Sequence, residues 1–179
     1  MADTGSRINA IAQAGQFFSV TYNDDVSGSR TYHVLAFENL AINKKTMYLD
    51  SVLGGILITP TTTPRDDYQA TFIVYVFEGI NLTGGTELLP ENLNLGSSIE
   101  PDIIVYANPE IKTTRYFSMT NNPSGEYFFN FDGKIIVPPG HILGITADTG
   151  LLDAQGFIML TVTWYELGDE QGDGSNVII

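Results

Sequence analysis

The sequence predicts an all-β protein, an antiparallel, jelly-roll-like β-sandwich with a short N-terminal arm. Apolar and polar residues alternate with a period of two along most of the chain, as they do in half-buried strands. Clusters of Gly, Pro, Asn and Asp separate these alternating segments at short intervals. A helical pattern occurs once, and about ten short strands without a repeated helix favour a sandwich or a jelly roll.

The N-terminal arm is predicted over residues 1–15. Ile8, Ile11 and Ala12 follow one another at helical spacing behind a Ser cap, and Gly15 ends the pattern, which predicts one short helix. The first residues lack the basic segment and the apolar core of a secretory signal, and no apolar run approaches about 18 residues. We therefore expect synthesis in the cytoplasm and no insertion into a membrane.

The sandwich domain is predicted over residues 16–167, and residues 168–179 are predicted to form a flexible acidic tail. Alternation defines the strands of the domain, and clusters with known turn chemistry define its turns. The predicted strands are 16–22, 30–37, 46–53, 55–59, 69–77, 103–107, 114–120, 126–131, 134–137, 142–147 and 157–167. The predicted turns are 23–25, 27–29, 54–55, 63–67, 121–125, 132–133 and 138–140. Asp132-Gly133 suits the positive φ values of a type I′ turn, which predicts a tight hairpin at that point.

One long loop, residues 84–98, interrupts the strand pattern. Gly84 and Gly85 permit positive φ, while Pro90 fixes its own φ and extends the residue before it. The side chains of Asn92 and Asn94 can bond nearby backbone groups. We expect a rigid coil here and no catalytic role.

Charge and composition exclude some classes of function. Eight Lys and Arg against 21 Asp and Glu give a net charge of −13, which repels a phosphate backbone, so nucleic acid is not an expected partner. Only 16% of the residues are charged while 43% are hydrophobic, a balance typical of all-β proteins and of surfaces that meet partners. The chain has no cysteine, which excludes disulfides and thiolate metal sites.

Two predicted strands carry apolar residues on both faces. One face of each sheet in a sandwich normally meets solvent, so the second apolar face predicts contact with a neighbouring subunit or with a covering loop. The residues that we assign to this second surface are Ile73, Tyr75, Phe77, Phe157, Met159 and Tyr165.

Both termini carry apolar residues next to polar or Gly-rich segments. These residues are Ile8, Ile11, Phe17 and Phe18 at one end and Val177, Ile178 and Ile179 at the other. In water they would favour aggregation, so we expect them to contact neighbouring subunits or a larger assembly. The alternative for residues 177–179 is that they fold back on their own domain.

The sequence contains no recognisable catalytic or cofactor-binding pattern. His33 and His141 are the two histidines, and neither a Gly-x-Ser-x-Gly elbow nor a His-Glu-x-x-His motif occurs. We interpret both as structural or surface residues and expect no enzymatic activity, although sequence alone leaves a glycosidase pair of carboxylates open. We interpret Asp24-Asp25 and Asp66-Asp67 as solvated turns and the EF-hand-like residues 169–174 as accidental, so no metal or other cofactor is expected.

Aromatic residues offer a rival function, the binding of a glycan. A ring can stack on the apolar face of a sugar while Asn and Asp side chains bond its hydroxyls. Such a module needs a ligand-sized concavity with two or more exposed rings. The candidate rings are Tyr106, Tyr116, Phe117, Tyr127 and Phe128.

Three segments resemble structural proteins of tailed-phage virions. Residues Gly85 to Asn94 match the Gly-Thr-x-x-x-Pro-x-Asn-x-Asn pattern of such proteins, and residues 134–145 and 160–166 are similar to the last strands of jelly-roll virion proteins. The resemblance implies a virion location and a non-enzymatic capsid decoration, cement or head-fibre subunit. It also implies assembly as a homotrimer and contact with major capsid or tail proteins. The alternative is a tail-associated module that binds a receptor or a glycan.

Overall fold

The predicted all-β sandwich is confirmed by a computed structural model, which describes residues 4–27, 30–60, 72–122, 126–149 and 154–168. Two antiparallel sheets pack face to face, and one helix lies at the N-terminal end. The elements are α1 (Thr4–Gln13), β1 (Phe17–Ser27), β2 (Arg30–Asn39), β3 (Lys45–Pro60), β4 (Phe72–Thr83), β5 (Thr86–Leu88), β6 (Glu91–Asn92), β7 (Ile104–Ala107), β8 (Glu110–Asn122), β9 (Glu126–Val137), β10 (His141–Thr149) and β11 (Ala154–Gly168).

The strand order is that of one long hairpin rolled up on itself. β1 pairs with β11, β2 with β10, β3 with β9 and β4 with β8, as the two arms of a single hairpin would. The roll arises because β3 also pairs with β11, and β4 also pairs with β10. The first sheet has the order β6-β1-β11-β3-β9, and the second has the order β5-β7-β2-β10-β4-β8.

The core lies between the sheets and is centred on Trp164. Its indole ring lies 5.9 Å from the ring of Phe18 and 5.4 Å from that of Phe37, measured between centroids. Ile158, Leu160 and Trp164 alternate along β11 and are at most 1% exposed, which is the predicted period of two. Burial of such large side chains contributes roughly 1.5–3 kcal/mol each to folding.

Three predicted turns are wrong because their residues lie inside long strands. Residues 54–55 belong to β3, where the absence of a side chain on Gly54 leaves room for the ring of Tyr127 and the carbonyl of Met159. Residues 23–25 belong to β1, where the Asp24 carboxylate accepts hydrogen bonds from Tyr22 and from the Nδ2 group of Asn108, at 2.7 and 3.0 Å.

The predicted hairpin at Asp132-Gly133 is likewise a bulge within β9. The pairing with β3 jumps from Leu49–Ile135 to Ser51–Asn130, so the extra residues loop out opposite a single position. Asp132 and Gly133 have φ values of 51° and 73°. A bulge and a type I′ hairpin turn both need positive φ, and an Asp-Gly pair supplies it for either. The pairing with β3 shows that the pair forms a bulge here.

Residues 84–109 connect β4 to β8 and close one side of the sandwich. This insertion adds β6 to the edge of β1, and it adds β7 and then β5 to the edge of β2. The predicted long loop therefore contains two short strands. On the opposite side, β8 and β9 are the last strands of their sheets in the described part of the chain.

The end of the insertion is attached to β11 through the fully buried side chain of Glu166. Its Oε2 accepts a hydrogen bond from the backbone N–H of Asp102 at 2.8 Å, and its Oε1 accepts one from Trp164 Nε1 at 3.0 Å. Lys45 Nζ lies 3.2 Å from Asp102 Oδ1 and 3.9 Å from Glu166 Oε2. Burial raises the pKa of Glu166, although these donors and the lysine charge oppose the rise.

Asn39 and Asn43 extend this polar network to the β2–β3 loop. The Nδ2 group of Asn39, which is 1% exposed, donates to the carbonyls of Lys45 and Val137 at 3.0 and 2.8 Å. Asn43 Nδ2 lies 3.0 Å from Asn39 Oδ1 and 2.9 Å from the carbonyl of Asp102. Buried polar groups are stable only when they are paired in this way, so the network fixes the relative positions of the segments that it joins.

We predict that Glu166→Ala lowers the free energy of unfolding by about 3 kcal/mol, because it leaves buried N–H groups of Asp102 and Trp164 without an acceptor. Glu100→Ala is the matched control. It removes an exposed carboxylate from the same insertion and should change the free energy by less than about 0.5 kcal/mol. Urea unfolding followed by Trp164 fluorescence measures both, and equal effects of the two substitutions would contradict the structural role of Glu166.

Candidate functional site

The outer face of the second sheet is covered around Phe77 by other side chains of the same chain. Phe77 is fully buried there, its ring lies where Gly144 has no side chain, and it packs with Ala36 and Ile111. Ile111 belongs to the start of β8, and its side chain lies against Gly79 of β4. The surface at Phe77 is therefore filled by side chains of the same chain.

The outer face of the first sheet is covered at the end where β1 begins and β11 ends. Helix α1 packs Ile8 and Ile11 there against Phe17 and Tyr165. The ring of Tyr48 stacks on that of Tyr165, with 5.1 Å between centroids. This end of the face has the amphipathic helix as its cover, so its aromatic residues are not available to a second molecule.

The other end of the same face is bare and apolar. Leu53, Leu57, Phe128, Phe157 and Met159 form this region, which we call the sheet patch. Their exposed fractions are 53, 69, 64, 38 and 52% in that order. Monomeric proteins rarely leave so many large apolar side chains together in water, and such patches mark interaction sites.

Strand register shows that the sheet patch is continuous. Leu53 pairs directly with Phe128, and Leu57 pairs with Phe157. Met159 pairs with Gly55, which lies between the two leucines on the same face of β3. Directly paired residues of antiparallel strands have their side chains on the same face, so Met159 and Glu126 flank Gly55, and Leu53 and Leu57 lie on either side of it along β3. Gly55 is therefore a position without a side chain inside the patch.

The rim of the sheet patch is polar and acidic. Asp25 pairs with Phe157 and Asn23 pairs with Met159 on the β1 side. Glu126 pairs with Gly55 on the β9 side. All three are exposed, and none of the five patch residues carries a charge. The surface thus has the apolar centre and polar rim that are typical of protein interfaces.

The structure divides the interface residues predicted from sequence into four groups. Phe157 and Met159 lie in the sheet patch. The side chains of Ile11, Phe17, Phe18, Phe77 and Tyr165 are at most 9% exposed and pack inside the chain, so they do not form an outer surface. Ile8 is half-buried beneath the helix. The side chains of Ile73 and Tyr75, and residues Val177, Ile178 and Ile179, lie outside the described residues.

Three members of the patch, Leu53, Leu57 and Phe128, are not among the interface residues predicted from sequence. Leu53 and Leu57 flank Gly54-Gly55, which we interpreted as a turn between two strands, whereas alternation continues through the glycines in one strand. Phe128 was considered for glycan stacking alone. The usable signal was the period of two across residues 53, 55 and 57, which places both leucines on one face.

A second exposed apolar surface lies on the insertion. Leu89, Leu93, Leu95 and Ile99 have exposed fractions of 86, 44, 98 and 41%, and we call the segment that carries them, residues 89–99, the leucine loop.

Asparagine side chains hold the leucine loop in place. Asn92 Nδ2 donates to the carbonyls of Gly15 and Ile99, both at 2.8 Å, and Asn94 Nδ2 donates to the carbonyl of Gln13 at 3.0 Å. Their Oδ1 atoms accept bonds from backbone N–H groups of the loop itself. The expected bonds from Asn92 and Asn94 to backbone groups are therefore present, and they tie the loop to the C-terminal end of α1.

A cavity of about 190 Å³ opens beside β8 and β9, and it does not meet the requirement for a glycan site. Phe117 is the aromatic residue in its lining, and the guanidinium of Arg115 lies 5.1 Å from the centroid of that ring and 3.2 Å from Glu78. Of the other candidate rings, Tyr127 is buried, Tyr106 is half-buried on the second sheet, and Phe128 lies in the sheet patch. The side chain of Tyr116 lies outside the described residues.

The two histidines occupy different environments. His33 is half-buried, its ring makes an edge-type contact with Phe77, and its Nδ1 has no hydrogen-bond partner among the described residues. Burial lowers the pKa of His33, while the charge of Glu110 opposes this. His141 is exposed, with Nδ1 3.2 Å from the carbonyl of Pro139.

Within the described ranges, no three His, Cys, Asp or Glu side chains come together closely enough to hold a metal ion. The helix in the described part of the chain lacks the length and apolar character needed to cross a membrane.

Comparison with known proteins gives no match: no family model, no curated protein and no solved structure is significantly similar to this chain.

We predict that His33→Gln weakens the pH dependence of stability between about pH 7 and pH 5. The pKa of His33 is lowered in the folded state, so the unfolded chain takes up the proton first, and wild-type stability falls as pH falls below about 6.5. Urea unfolding at pH 7 and pH 5 tests this, with the exposed His141→Gln as control. If both variants show the same flattening, burial of His33 is not its cause.

Proposed function

We propose that this chain is a non-enzymatic structural protein that self-associates through the sheet patch. The observation that carries the proposal is the continuous group of five exposed apolar side chains on the first sheet, with no charged residue among them. At the other end of that face, α1 covers Phe17 and Tyr165, and on the other sheet Ile111 packs with Phe77. Among the described residues, the sheet patch groups five exposed apolar side chains on paired strands, whereas Ile136 is exposed on the same face outside the patch.

Self-association through the patch is energetically reasonable. A patch of this kind amounts to on the order of 500 Å² of apolar surface. At ~25 cal/mol per Å², its burial contributes about 12 kcal/mol before the cost of association, which is roughly 4–15 kcal/mol. Burial of an equal apolar area on the partner doubles the gain to about 25 kcal/mol, which exceeds that cost.

We further propose that the assembly is a tailed-phage virion component, a capsid decoration or head-fibre subunit of the jelly-roll kind that forms a homotrimer. The rolled-hairpin strand order supports the jelly-roll part of this proposal. The resemblance of residues 85–94, 134–145 and 160–166 to virion proteins supports the location and the contact with capsid or tail proteins. A net charge of −13 fits a protein that meets other proteins and not nucleic acid.

The double variant Leu57→Asp, Met159→Asp should be a folded monomer at concentrations at which the wild type is oligomeric. Charges placed in an apolar contact cost several kcal/mol on association, whereas both side chains are more than half exposed in the isolated chain. Sedimentation velocity at micromolar concentration measures the oligomeric state, and circular dichroism checks the fold. Ile42→Asp is the control, because Ile42 is 84% exposed on the β2–β3 loop, away from the patch. A monomeric wild type would refute self-association.

The virion location has its own test, cryo-electron microscopy and mass spectrometry of purified phage particles. We expect density that fits the sandwich on the surface of the capsid or of the tail. Particles that contain no peptide of this chain would contradict the location and would leave the self-association proposal to be decided by sedimentation.

A further inference from the structure

We infer that the surface that covers the sheet patch is the leucine loop of a second copy of this chain, in a head-to-tail contact. This inference rests on the proposed self-association and names the partner surface. It is carried by the rigidity of the loop, by the match between the two surfaces and by their separation within one chain.

The leucine loop is preorganised in the single chain. Its most exposed residues, Leu89 and Leu95, are 86 and 98% exposed, although hydrogen bonds of Asn92 and Asn94 hold the loop to the end of α1. A flexible loop would lose conformational entropy on binding, but this loop has already lost it on folding. Burial of these leucines against another surface would remove apolar area from water without a further cost for ordering the loop.

The loop and the patch match in extent, polarity and shape. Each exposes a group of large apolar side chains, on the order of 500 Å², and together they reach the roughly 1,000 Å² expected of a specific interface. Gly55 contributes no side chain to the patch between Leu53 and Leu57, which leaves space there for an apolar side chain of the partner such as Leu95, 98% exposed.

The loop of one chain cannot reach the patch of the same chain. Leu93 N–H bonds to the carbonyl of Phe17, where β1 begins, while Asp25 at the rim of the patch is eight residues further along the same strand. At about 3.3 Å per residue, the two sites are about 26 Å apart. A contact between loop and patch is therefore made between two copies, and because the surfaces differ, it is heterologous and closes into a ring when the rotation between copies permits.

A two-fold contact of the patch with its own copy buries fewer of the exposed apolar residues than the head-to-tail contact does. A two-fold contact through the patch would leave the leucine loop of every subunit in water. The head-to-tail contact covers both apolar surfaces with a single type of interface.

Mixing two complementary variants tests this inference. The loop variant is Leu89→Asp, Leu95→Asp, and the patch variant is Leu57→Asp, Met159→Asp; all four side chains are more than half exposed, so both variants should fold. We expect each variant alone to be monomeric in sedimentation velocity. An equimolar mixture should form a heterodimer, because the intact patch of the loop variant can bind the intact loop of the patch variant. The mixed pair should associate at least about thirtyfold more tightly than either variant with itself.

The other outcomes separate this inference from the proposed function. If the loop variant assembles as the wild type does, the patch pairs with itself or with another surface, and the head-to-tail contact is wrong while self-association stands. If both variants are monomeric and their mixture also stays monomeric, the pairing of loop with patch is wrong. If the wild type is monomeric, self-association itself is wrong, and this inference falls with it.

Discussion

The buried carboxylate of Glu166 is the constraint on which the rest of the structure depends. It accepts bonds from the backbone of Asp102 in the insertion and from Trp164, whose ring lies between Phe18 and Phe37 in the core. A buried carboxylate is costly unless donors surround it, so the insertion can dock in one way only. Through Lys45 and the neighbouring asparagines, the same point fixes the β2–β3 loop. This attachment positions the C-terminal end of the insertion, while Asn92 and Asn94 hold its leucine loop against the end of α1.

The sandwich covers its outer faces unevenly, and the uneven cover has a physical origin. Phe77 fills the space above Gly144 on the second sheet, and α1 covers Phe17 and Tyr165 on the first. No described segment crosses the half of the first sheet that carries the sheet patch. A domain built of two layers has two outer faces that meet water. When a chain has few charged residues, the parts of these faces that its own segments do not cover stay apolar. Under the proposed self-association, the contact between copies removes that area from water.

Parts of the fold and the site could be predicted from sequence. The spacing of Ile158, Leu160 and Trp164 predicts a strand with one face in the core. Phe157 and Met159 predict a second apolar surface on the opposite face of the same strand. Gly54-Gly55 and Asp132-Gly133 could not be assigned, because glycine serves a turn, a bulge and a tightly packed strand equally well. Phe18 could not be identified as a core residue from sequence, because its neighbour Phe17 is equally apolar. The pairing of β1 with β11 decides which of the two points into the core.

The sequence by itself determined the all-β class, the alternation of faces along its strands, the bonding of Asn92 and Asn94 side chains to backbone groups and the lack of thiol chemistry. These properties depend on local periodicity, on backbone preferences and on composition, which are all written along the chain. Only the tertiary structure decided which second faces are covered, that Leu53, Leu57 and Phe128 join Phe157 and Met159, and that Glu166 holds the insertion. Those properties depend on strand register and on contacts between residues far apart in sequence, and the period of two leaves both undetermined.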